Sequence, residues 1–159
     1  MSQTADIAIT INGETVTRRV PVRLNLIDFV RQEAGFTGAH VGCEHGVCGA
    51  CTMEVDGVQV RACLMLAVQA DGAQVTTVEG LADSGRGQAL RDAFKARNAL
   101  QCGYCTPGML ASALEYIEAG GTADRDAIRA HISGNYCRCT GYQAIVDAIC
   151  DAIADTVPA

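Results

Sequence analysis

Residues 42–52 read GCEHGVCGACT, and one further cysteine, Cys63, follows shortly after them. Within this stretch, Cys43, Cys48 and Cys51 have the spacing C-x4-C-x2-C. One tight loop can present three thiolates at this spacing, while the fourth must return from elsewhere in the chain. Glycines between the cysteines permit positive φ angles, so backbone N–H groups can approach the sulfur atoms. The stretch therefore predicts a four-thiolate metal site on a loop between strands.

The spacing of this first cysteine set favours a 2Fe–2S cluster over a single zinc ion. Plant-type ferredoxins hold a 2Fe–2S cluster with C-x4-C-x2-C and a distant fourth cysteine, whereas structural zinc prefers two C-x2-C pairs. Rieske centres replace two cysteine ligands with histidines. His45 lies inside the loop, but four cysteines already complete the ligand set, so we interpret His45 as a loop residue near the cluster.

The residues around this loop predict strands and turns with one helix. Asn12-Gly13 and Asp56-Gly57 are strong signals for tight hairpins. Asn25 can cap a helix that Gly35 ends. The predicted strands occupy residues 7–11, 15–20, 52–55, 58–62 and 75–78.

The second half of the chain predicts helices. Pro107 suits the first position of a helix capped by Thr106, and Thr140 with Gln143 has the spacing of a capping box. Four helices suggest a small bundle. The predicted helices begin near Gly87, Thr106, Asp124 and Thr140. We take residues 79–86 as a linker and place the domains at residues 1–80 and 81–159.

A second cysteine set comprises Cys102, Cys105, Cys137 and Cys139. Each of its two pairs directly precedes a predicted helix, and helix N-termini favour thiolates and anionic groups. If the two helices begin side by side, the four sulfur atoms converge on a second metal site. The spacing alone leaves zinc as an alternative here, whereas a disulfide scaffold fits poorly with the predicted cytosolic location.

We do not expect the remaining cysteine and the two other histidines to bind a metal. Cys150 follows the apolar period of the last helix, so we expect a buried thiol rather than a ligand. His40 and His131 stand alone in the sequence, and we expect them on the surface or on a helix face.

Composition excludes several classes of function. The chain has 18 acidic and 12 basic residues and a net charge of −6, which argues against a nucleic-acid-binding protein. No apolar run predicts a membrane span, and the start of the chain does not resemble an export signal, so we expect a cytoplasmic protein. No P-loop, dinucleotide fingerprint, nucleophile elbow or zinc-protease motif is present. We therefore expect the chain to transfer electrons without acting on an organic substrate itself.

Three motifs together carry a family resemblance. They are GCEHGVCGACT at residues 42–52 with Cys63-Leu64, QCGYCTPG at residues 101–108, and NYCRCTGY at residues 135–142. In order and spacing they resemble the iron–sulfur small subunits of molybdenum hydroxylases, the family of xanthine dehydrogenase and aerobic carbon monoxide dehydrogenase. The resemblance covers nearly the whole chain and favours a 2Fe–2S cluster over zinc at the second cysteine set.

The resemblance implies an α+β fold, with an N-terminal plant-ferredoxin-like β-grasp domain and a C-terminal all-α four-helix bundle. It implies one 2Fe–2S cluster per domain. The cluster on Cys43, Cys48, Cys51 and Cys63 would lie nearer to FAD, and the cluster on Cys102, Cys105, Cys137 and Cys139 nearer to molybdenum. Gln101 would lie close to the pterin, unless it merely packs at the end of the bundle.

The resemblance also implies partner chains. A large subunit would hold molybdopterin, expected in its cytosine dinucleotide form, and a medium subunit would hold FAD, in a dimer of heterotrimers. The large subunit would select the substrate. Two other functions remain as alternatives. A free ferredoxin-like carrier would need only the first half of the chain, and a zinc-stabilised interaction module would be colourless and hold two zinc ions.

Overall fold

The structure, a computed structural model, describes residues 3–156 of the 159-residue chain. Its N-terminal part is built on one mixed sheet of five strands in the spatial order β2-β1-β5-β3-β4. The strands are β1 (Thr4–Ile11), β2 (Glu14–Pro21), β3 (Thr52–Val55), β4 (Val58–Arg61) and β5 (Gln74–Thr76). β5 runs parallel to β1, and the other neighbouring strands are antiparallel.

The two predicted hairpins are confirmed. Asn12 and Gly13 both have positive φ, at 51° and 88°, and join β1 to β2 through a two-residue turn. Asp56 and Gly57, at 48° and 80°, do the same between β3 and β4. Such turns need two residues that tolerate φ above zero, which is why asparagine or aspartate followed by glycine marks them.

The predicted helix after Asn25 is also confirmed. Its first turn, α1 (Leu26–Asp28), continues as a π-helical segment, Phe29–Glu33. The Asn25 side chain accepts a hydrogen bond from the backbone N–H of Asp28, 2.9 Å away. The apolar side of this helix packs with the sheet in the first hydrophobic core. That core includes Ile7, Ile9, Ile11, Leu26, Ile27, Phe29, Val30, Met53 and Val75.

The C-terminal part is helical. Its helices are α2 (Val78–Asp83), α3 (Gln88–Ala96), α4 (Thr106–Glu118), α5 (Arg125–His131) and α6 (Gln143–Thr156), with a 3-10 turn at Ile132–Gly134. A second hydrophobic core joins these helices and includes Leu81, Phe94, Met109, Leu114, Ile128, Ile145 and Ile149. The described helices include none that is long and apolar enough to cross a membrane.

Three details of the helical half differ from the sequence prediction. The linker predicted at residues 79–86 was wrong over residues 79–83, because the chain forms α2 there and buries Leu81 in the second core. Cys105, rather than Thr106, occupies the N-cap position of α4. The capping box predicted for α6 was wrong too, because the Thr140 hydroxyl bonds to the backbone of Tyr142 and to the sulfur of Cys137.

At one point of the contact between the two halves, backbone packs directly against backbone. Gly108, in the first turn of α4, lies so close to the backbone carbonyl of Gly49 that a Cβ atom there would clash with it. Gln59 of β4 also donates a hydrogen bond to the carbonyl oxygen of Ala111 in α4. These contacts bring the beginning of α4 against the loop that carries the first cysteine set. The domain boundary between residues 80 and 81 stays a prediction.

Candidate iron–sulfur centres

The four cysteines of the first set come together on the loop before β3 and at the end of β4. The thiols of Cys43 and Cys48 are close neighbours, and so are those of Cys51 and Cys63. Cys48 also lies near enough to Cys51 to act on it electrostatically. Cys51 and Cys63 are buried and the other two are half-buried, so the site lies under a thin cover of protein.

Three residues of this loop have backbone angles in the left-handed region. Glu44, Gly46 and Gly49 have φ values of 58°, 83° and 75°. Glycine adopts this region at little cost. At Gly42 a Cβ atom would lie 2.7 Å from the Cys48 sulfur, so this position also has no room for a side chain. The expected role of glycine in this loop is confirmed at these positions.

Backbone N–H groups point at the sulfur of Cys43. The N–H of Cys48 lies 3.4 Å from this sulfur. Hydrogen bonds from the backbone of Cys48 and His45 lower the pKa of Cys43 to about 6. Burial and the neighbouring thiols of Cys63 and Cys48 raise the pKa of Cys51 to about 12. Donors that stabilise a thiolate also stabilise the negative charge of a thiolate-bound cluster.

The second set comes together at the beginning of α4 and in the loop before α6. The Cys105 thiol is a close neighbour of the thiols of Cys137 and Cys102. Cys139 lies on the same loop as Cys137 and directs its backbone N–H at the Cys137 sulfur. Burial and the two neighbouring thiols raise the pKa of Cys105 to about 12. The thiols of Cys102, Cys105 and Cys137 are therefore neighbours, whereas Cys139 joins them through its backbone, and the convergence of all four sulfur atoms stays a prediction.

Two side chains that sequence reasoning did not assign to this site hold Cys137. The Thr140 hydroxyl donates to the Cys137 sulfur at 3.1 Å, and the Tyr142 phenol oxygen accepts from the Cys137 backbone N–H at 2.8 Å. Burial raises the pKa of Cys137, but the hydrogen bonds from Thr140 and Cys139 outweigh it, and the net shift is downward. One sequence signal was available, because Thr140 carries a hydroxyl three positions after Cys137. In the sequence prediction, that hydroxyl was assigned to a capping box instead.

The two cysteine sites are joined by hydrogen bonds. The N–H of Tyr136, the residue before Cys137, donates to the carbonyl oxygen of Cys48 at 2.9 Å. The buried Asn135 side chain donates to the carbonyl oxygen of Gly49 at 3.3 Å. Arg61 reaches across from β4 and donates to the carbonyl oxygen of Gly134 at 3.0 Å. The loops of the two sites therefore form one continuous structure.

His40 makes a second connection between the two loops. Its ring stacks on that of Tyr104 with a centroid separation of 4.6 Å, and its Nδ1 lies 2.8 Å from the Tyr104 carbonyl oxygen. The Tyr104 hydroxyl in turn donates to the carbonyl oxygen of Val41 at 2.6 Å. His40 therefore keeps part of its surface exposed while it connects the two halves, a contact that no sequence signal indicated.

The other singled-out residues lie apart from the sulfur clusters or at their rim. His45 is exposed and its ring bonds to the Cys43 carbonyl oxygen, as a loop residue. His131 ends α5, where its Nε2 lies 3.0 Å from the Ser112 carbonyl oxygen. Cys150 is half-buried rather than buried, with its sulfur 3.6 Å from the carbonyl oxygen of Ala123. Gln101 is exposed, and within residues 3–156 its side chain has no hydrogen-bond partner.

The chemistry of these sites fits 2Fe–2S clusters. Each site gathers thiols and directs an N–H or O–H donor at one of the sulfur atoms, and hydrogen bonds to ligand sulfurs are a feature of 2Fe–2S sites. Among residues 3–156, no group of three or more histidine, cysteine or acidic side chains is arranged to hold one metal ion.

Family comparisons give the same assignment. The family model described as a 2Fe-2S iron-sulfur cluster binding domain matches residues 9–82. A second model, described as a 2Fe-2S binding domain, matches residues 77–150. Because both models describe 2Fe–2S domains, the chain has two such domains. This result excludes zinc as the metal at the second cysteine set.

Individual proteins are similar over almost their whole length. The gamma subunit of caffeine dehydrogenase from Pseudomonas sp. (strain CBB1) is 52% identical over 148 residues, which cover 90% of this chain and 87% of the relative. The small subunit of nicotine 6-hydroxylase from Paenarthrobacter nicotinovorans is 48% identical over 151 residues, covering 95% and 91%. A chain in the crystal structure of quinoline 2-oxidoreductase from Pseudomonas putida 86 superimposes with a TM-score of 0.88 at 48% identity, covering 97% and 96%.

Proposed function

Since this chain belongs to the family of iron–sulfur small subunits of molybdenum hydroxylases, we propose that it relays electrons between a molybdenum–pterin centre and FAD. Each of those groups would be held by a different partner chain. The observation that carries the proposal is the hydrogen bond from Tyr136 to the carbonyl oxygen of Cys48, because it joins the loops of two separate thiol clusters. A carrier with one cluster has no use for such a junction.

We assign the cluster ligands as follows. Cys43, Cys48, Cys51 and Cys63 hold the cluster nearer to FAD. Cys102, Cys105, Cys137 and Cys139 hold the cluster nearer to molybdenum. The neighbouring thiols of the first set, and those of Cys102, Cys105 and Cys137 in the second, support this assignment, and Cys139 is included because its backbone N–H is directed at the Cys137 sulfur. Electrons from the molybdenum centre reach the helical half first, cross the junction at Tyr136 and Cys48, and leave from the sheet half.

Gln101 is assigned to the contact with the partner's pterin. Its amide is exposed at the rim of the second site, beside Cys102, and has no hydrogen-bond partner within the described residues. A free amide offers two donors and one acceptor oxygen, which suit the polar edge of a pterin ring. Packing against the end of the helices, the plainer alternative, would have buried it.

The complete enzyme would contain a large molybdenum subunit and a medium FAD subunit, arranged as a dimer of heterotrimers in the cytoplasm. The molybdopterin would be the cytosine dinucleotide form. Within this chain, the contacts of α3 with α4 and α6, and of α5 with α4 and α6, support the four-helix bundle, with α2 as an addition to it. We assign no residue of this chain to the substrate.

Metal analysis with low-temperature EPR tests the proposal. The purified protein, reduced with dithionite, should contain about four iron and four sulfide ions per chain, two of each for every 2Fe–2S cluster. It should show two distinct rhombic signals. About two irons with one signal, and zinc in the other half, would instead identify a ferredoxin with a structural zinc domain and end the relay proposal.

Cys139→Ser tests the order of the relay in the assembled enzyme. We expect it to damage the second cluster and stop flavin reduction by substrate, while the EPR signal of the first cluster persists. Cys150→Ser is the matched control, because Cys150 lies in neither thiol cluster, and it should leave both signals and flavin reduction unchanged. Flavin reduction by substrate that survives in Cys139→Ser would show that the order is wrong.

A further inference from the structure

The hydroxyl of Thr140 is directed at the sulfur of Cys137 by its own hydrogen-bonding limits. Its oxygen lies 3.1 Å from that sulfur and 3.2 Å from the backbone nitrogen of Tyr142. A backbone N–H can only donate, so the Thr140 oxygen accepts from Tyr142 and keeps its single proton for the sulfur. The Thr140 hydroxyl is therefore the donor of this bond, and the Cys137 sulfur is the acceptor.

Three hydrogen bonds close a ring around Cys137. Its backbone N–H donates to the Tyr142 phenol, the Tyr142 N–H donates to Thr140, and the Thr140 hydroxyl donates to the Cys137 sulfur. Tyr142 has φ of 68°, in the left-handed region. A residue with a Cβ atom occupies that region at a cost of about 1–2 kcal/mol. The ring of bonds offsets this cost and holds the hydroxyl in place.

Thr106 offers a comparison within the same site. It follows Cys105 directly, as Thr140 follows Cys139, yet within the described residues its hydroxyl has no hydrogen-bond partner. A threonine next to a ligand cysteine therefore does not bond to sulfur by default. Among residues 3–156, the bond from Thr140 to Cys137 is the one hydroxyl hydrogen bond to a cysteine sulfur.

We propose that the Thr140 hydroxyl raises the reduction potential of the helical-half cluster through its hydrogen bond to Cys137. This inference rests on the proposed function, which makes Cys137 a cluster ligand. Reduction adds one electron to the cluster and breaks no bond, so it increases the negative charge on the ligand sulfurs. A donor aimed at a sulfur stabilises the reduced state more than the oxidised state. Thr140 thereby draws electrons from the molybdenum side into the relay.

The test is a redox titration of the assembled enzyme followed by EPR, with Thr140→Val, Thr140→Ser and Thr106→Val. In Thr140→Val we expect the ratio of reduced to oxidised helical-half cluster, measured at a fixed potential, to fall about tenfold, while that of the sheet-half cluster stays the same. For a one-electron couple this corresponds to about 59 mV. Thr140→Ser keeps the hydroxyl and should retain the original potential. Thr106→Val should also leave it unchanged, and the sheet-half cluster serves as an internal reference throughout.

Each other outcome has a definite meaning. An unchanged potential in Thr140→Val, with both signals present, overturns the inference and leaves the proposed function intact. A shift of equal size in Thr140→Ser overturns it as well, because packing rather than the hydroxyl would then be responsible. If Thr140→Val loses the cluster, Thr140→Ala gives a second measurement, and loss in both variants would assign Thr140 to cluster retention instead. Absence of a second signal in the unaltered protein would overturn the proposed function itself.

Discussion

The backbone N–H of Tyr136 lies 2.9 Å from the carbonyl oxygen of Cys48 and donates a hydrogen bond to it. Cys48 is itself a candidate cluster ligand of the first set. Tyr136 directly precedes Cys137, a candidate ligand of the second set. This backbone hydrogen bond therefore joins the loops of the two thiol clusters directly. Whatever holds this junction in place also fixes the separation of the two thiol clusters.

Asn135 is the side chain that holds the junction. It is buried, donates to the carbonyl oxygen of Gly49, and accepts from the Ser112 hydroxyl at 3.0 Å and from Arg61 at 3.3 Å. Asn135→Ala leaves these partners unsatisfied, and we expect a loss of about 1–3 kcal/mol in the free energy of unfolding. The temperature at which the visible absorbance of the clusters disappears should fall by roughly 2–4 °C for each kcal/mol lost.

The control for this change is Ser133→Ala, two positions away, where the serine is exposed and, within the described residues, its side chain has no hydrogen-bond partner. It should leave the transition where it is. An Asn135→Ala protein with the unaltered transition temperature would mean that the junction is held by other contacts.

Gly108 sets how closely α4 approaches the first cysteine loop. A Cβ atom at this position would clash with the backbone carbonyl of Gly49, which cannot rotate away as a side chain could. We expect Gly108→Ala to push the two halves apart, at a cost typical of overpacking, about 1–3 kcal/mol. The magnetic interaction between the two reduced clusters, measured by EPR at low temperature, should weaken because it depends on their separation.

Gly120→Ala, at the other end of α4, is the comparison. A Cβ atom there meets nothing within 4 Å, although φ of 80° strains the backbone. This variant should lose some stability and keep the magnetic interaction unchanged. If both variants weaken the interaction equally, the close approach of Gly108 and Gly49 does not determine the spacing of the clusters.

Arg86 forms an ion-pair bridge between the halves. Its guanidinium lies 3.1 Å from Glu54 on β3 and 2.7 Å from Glu118 on α4. The two carboxylates raise the pKa of Arg86, so it is charged at every pH of interest. Its side chain is 37% exposed, and solvent screening limits such a bridge to about 1 kcal/mol or less.

We therefore expect Arg86→Gln to lower the thermal transition slightly at low salt, with the difference disappearing near 1 M salt, where the Debye length is about 3 Å. Arg97→Gln breaks a pair with Asp151 inside the helical half and is the control for the interface. Only Arg86→Gln should change the magnetic interaction of the clusters. A difference that persists at high salt would point to packing by the Arg86 side chain instead of charge.

The sequence predicted features that depend on local signals, and it missed one short helix and the contacts between residues that are distant along the chain. The hairpins at Asn12-Gly13 and Asp56-Gly57 were predictable because few residues tolerate positive φ. Each cysteine set could be grouped because ligand spacing is written in the sequence. The short helix α2 was missed because its glycine and surrounding polar residues resemble a linker. The bond between Asn135 and Gly49 joins residues 86 positions apart, and no local pattern indicates it.

Cysteine alkylation of the cluster-loaded protein checks the ligand assignment directly. Cys150 lies in neither thiol cluster and is half-buried, so we expect iodoacetamide to modify it slowly and to spare the other eight cysteines. Peptide mass spectrometry after brief exposure, quenching and unfolding gives the measurement. Modification of any cysteine from either set, at a rate similar to that of Cys150, would remove that cysteine from the ligand assignment.

Removing the iron under reducing conditions should expose an order of reactivity among the thiols, because the thiolate is the reactive form. The pKa of Cys43 is lowered to about 6, so at pH 7 this residue is mostly thiolate and should be alkylated first. Its rate should rise as the pH passes 6 and then level off. Cys51 and Cys105, with pKa values raised to about 12, remain thiols and should react slowly, at rates still rising at pH 9. Equal rates for all three at pH 7 would show that the backbone donors around Cys43 form only when the cluster is bound.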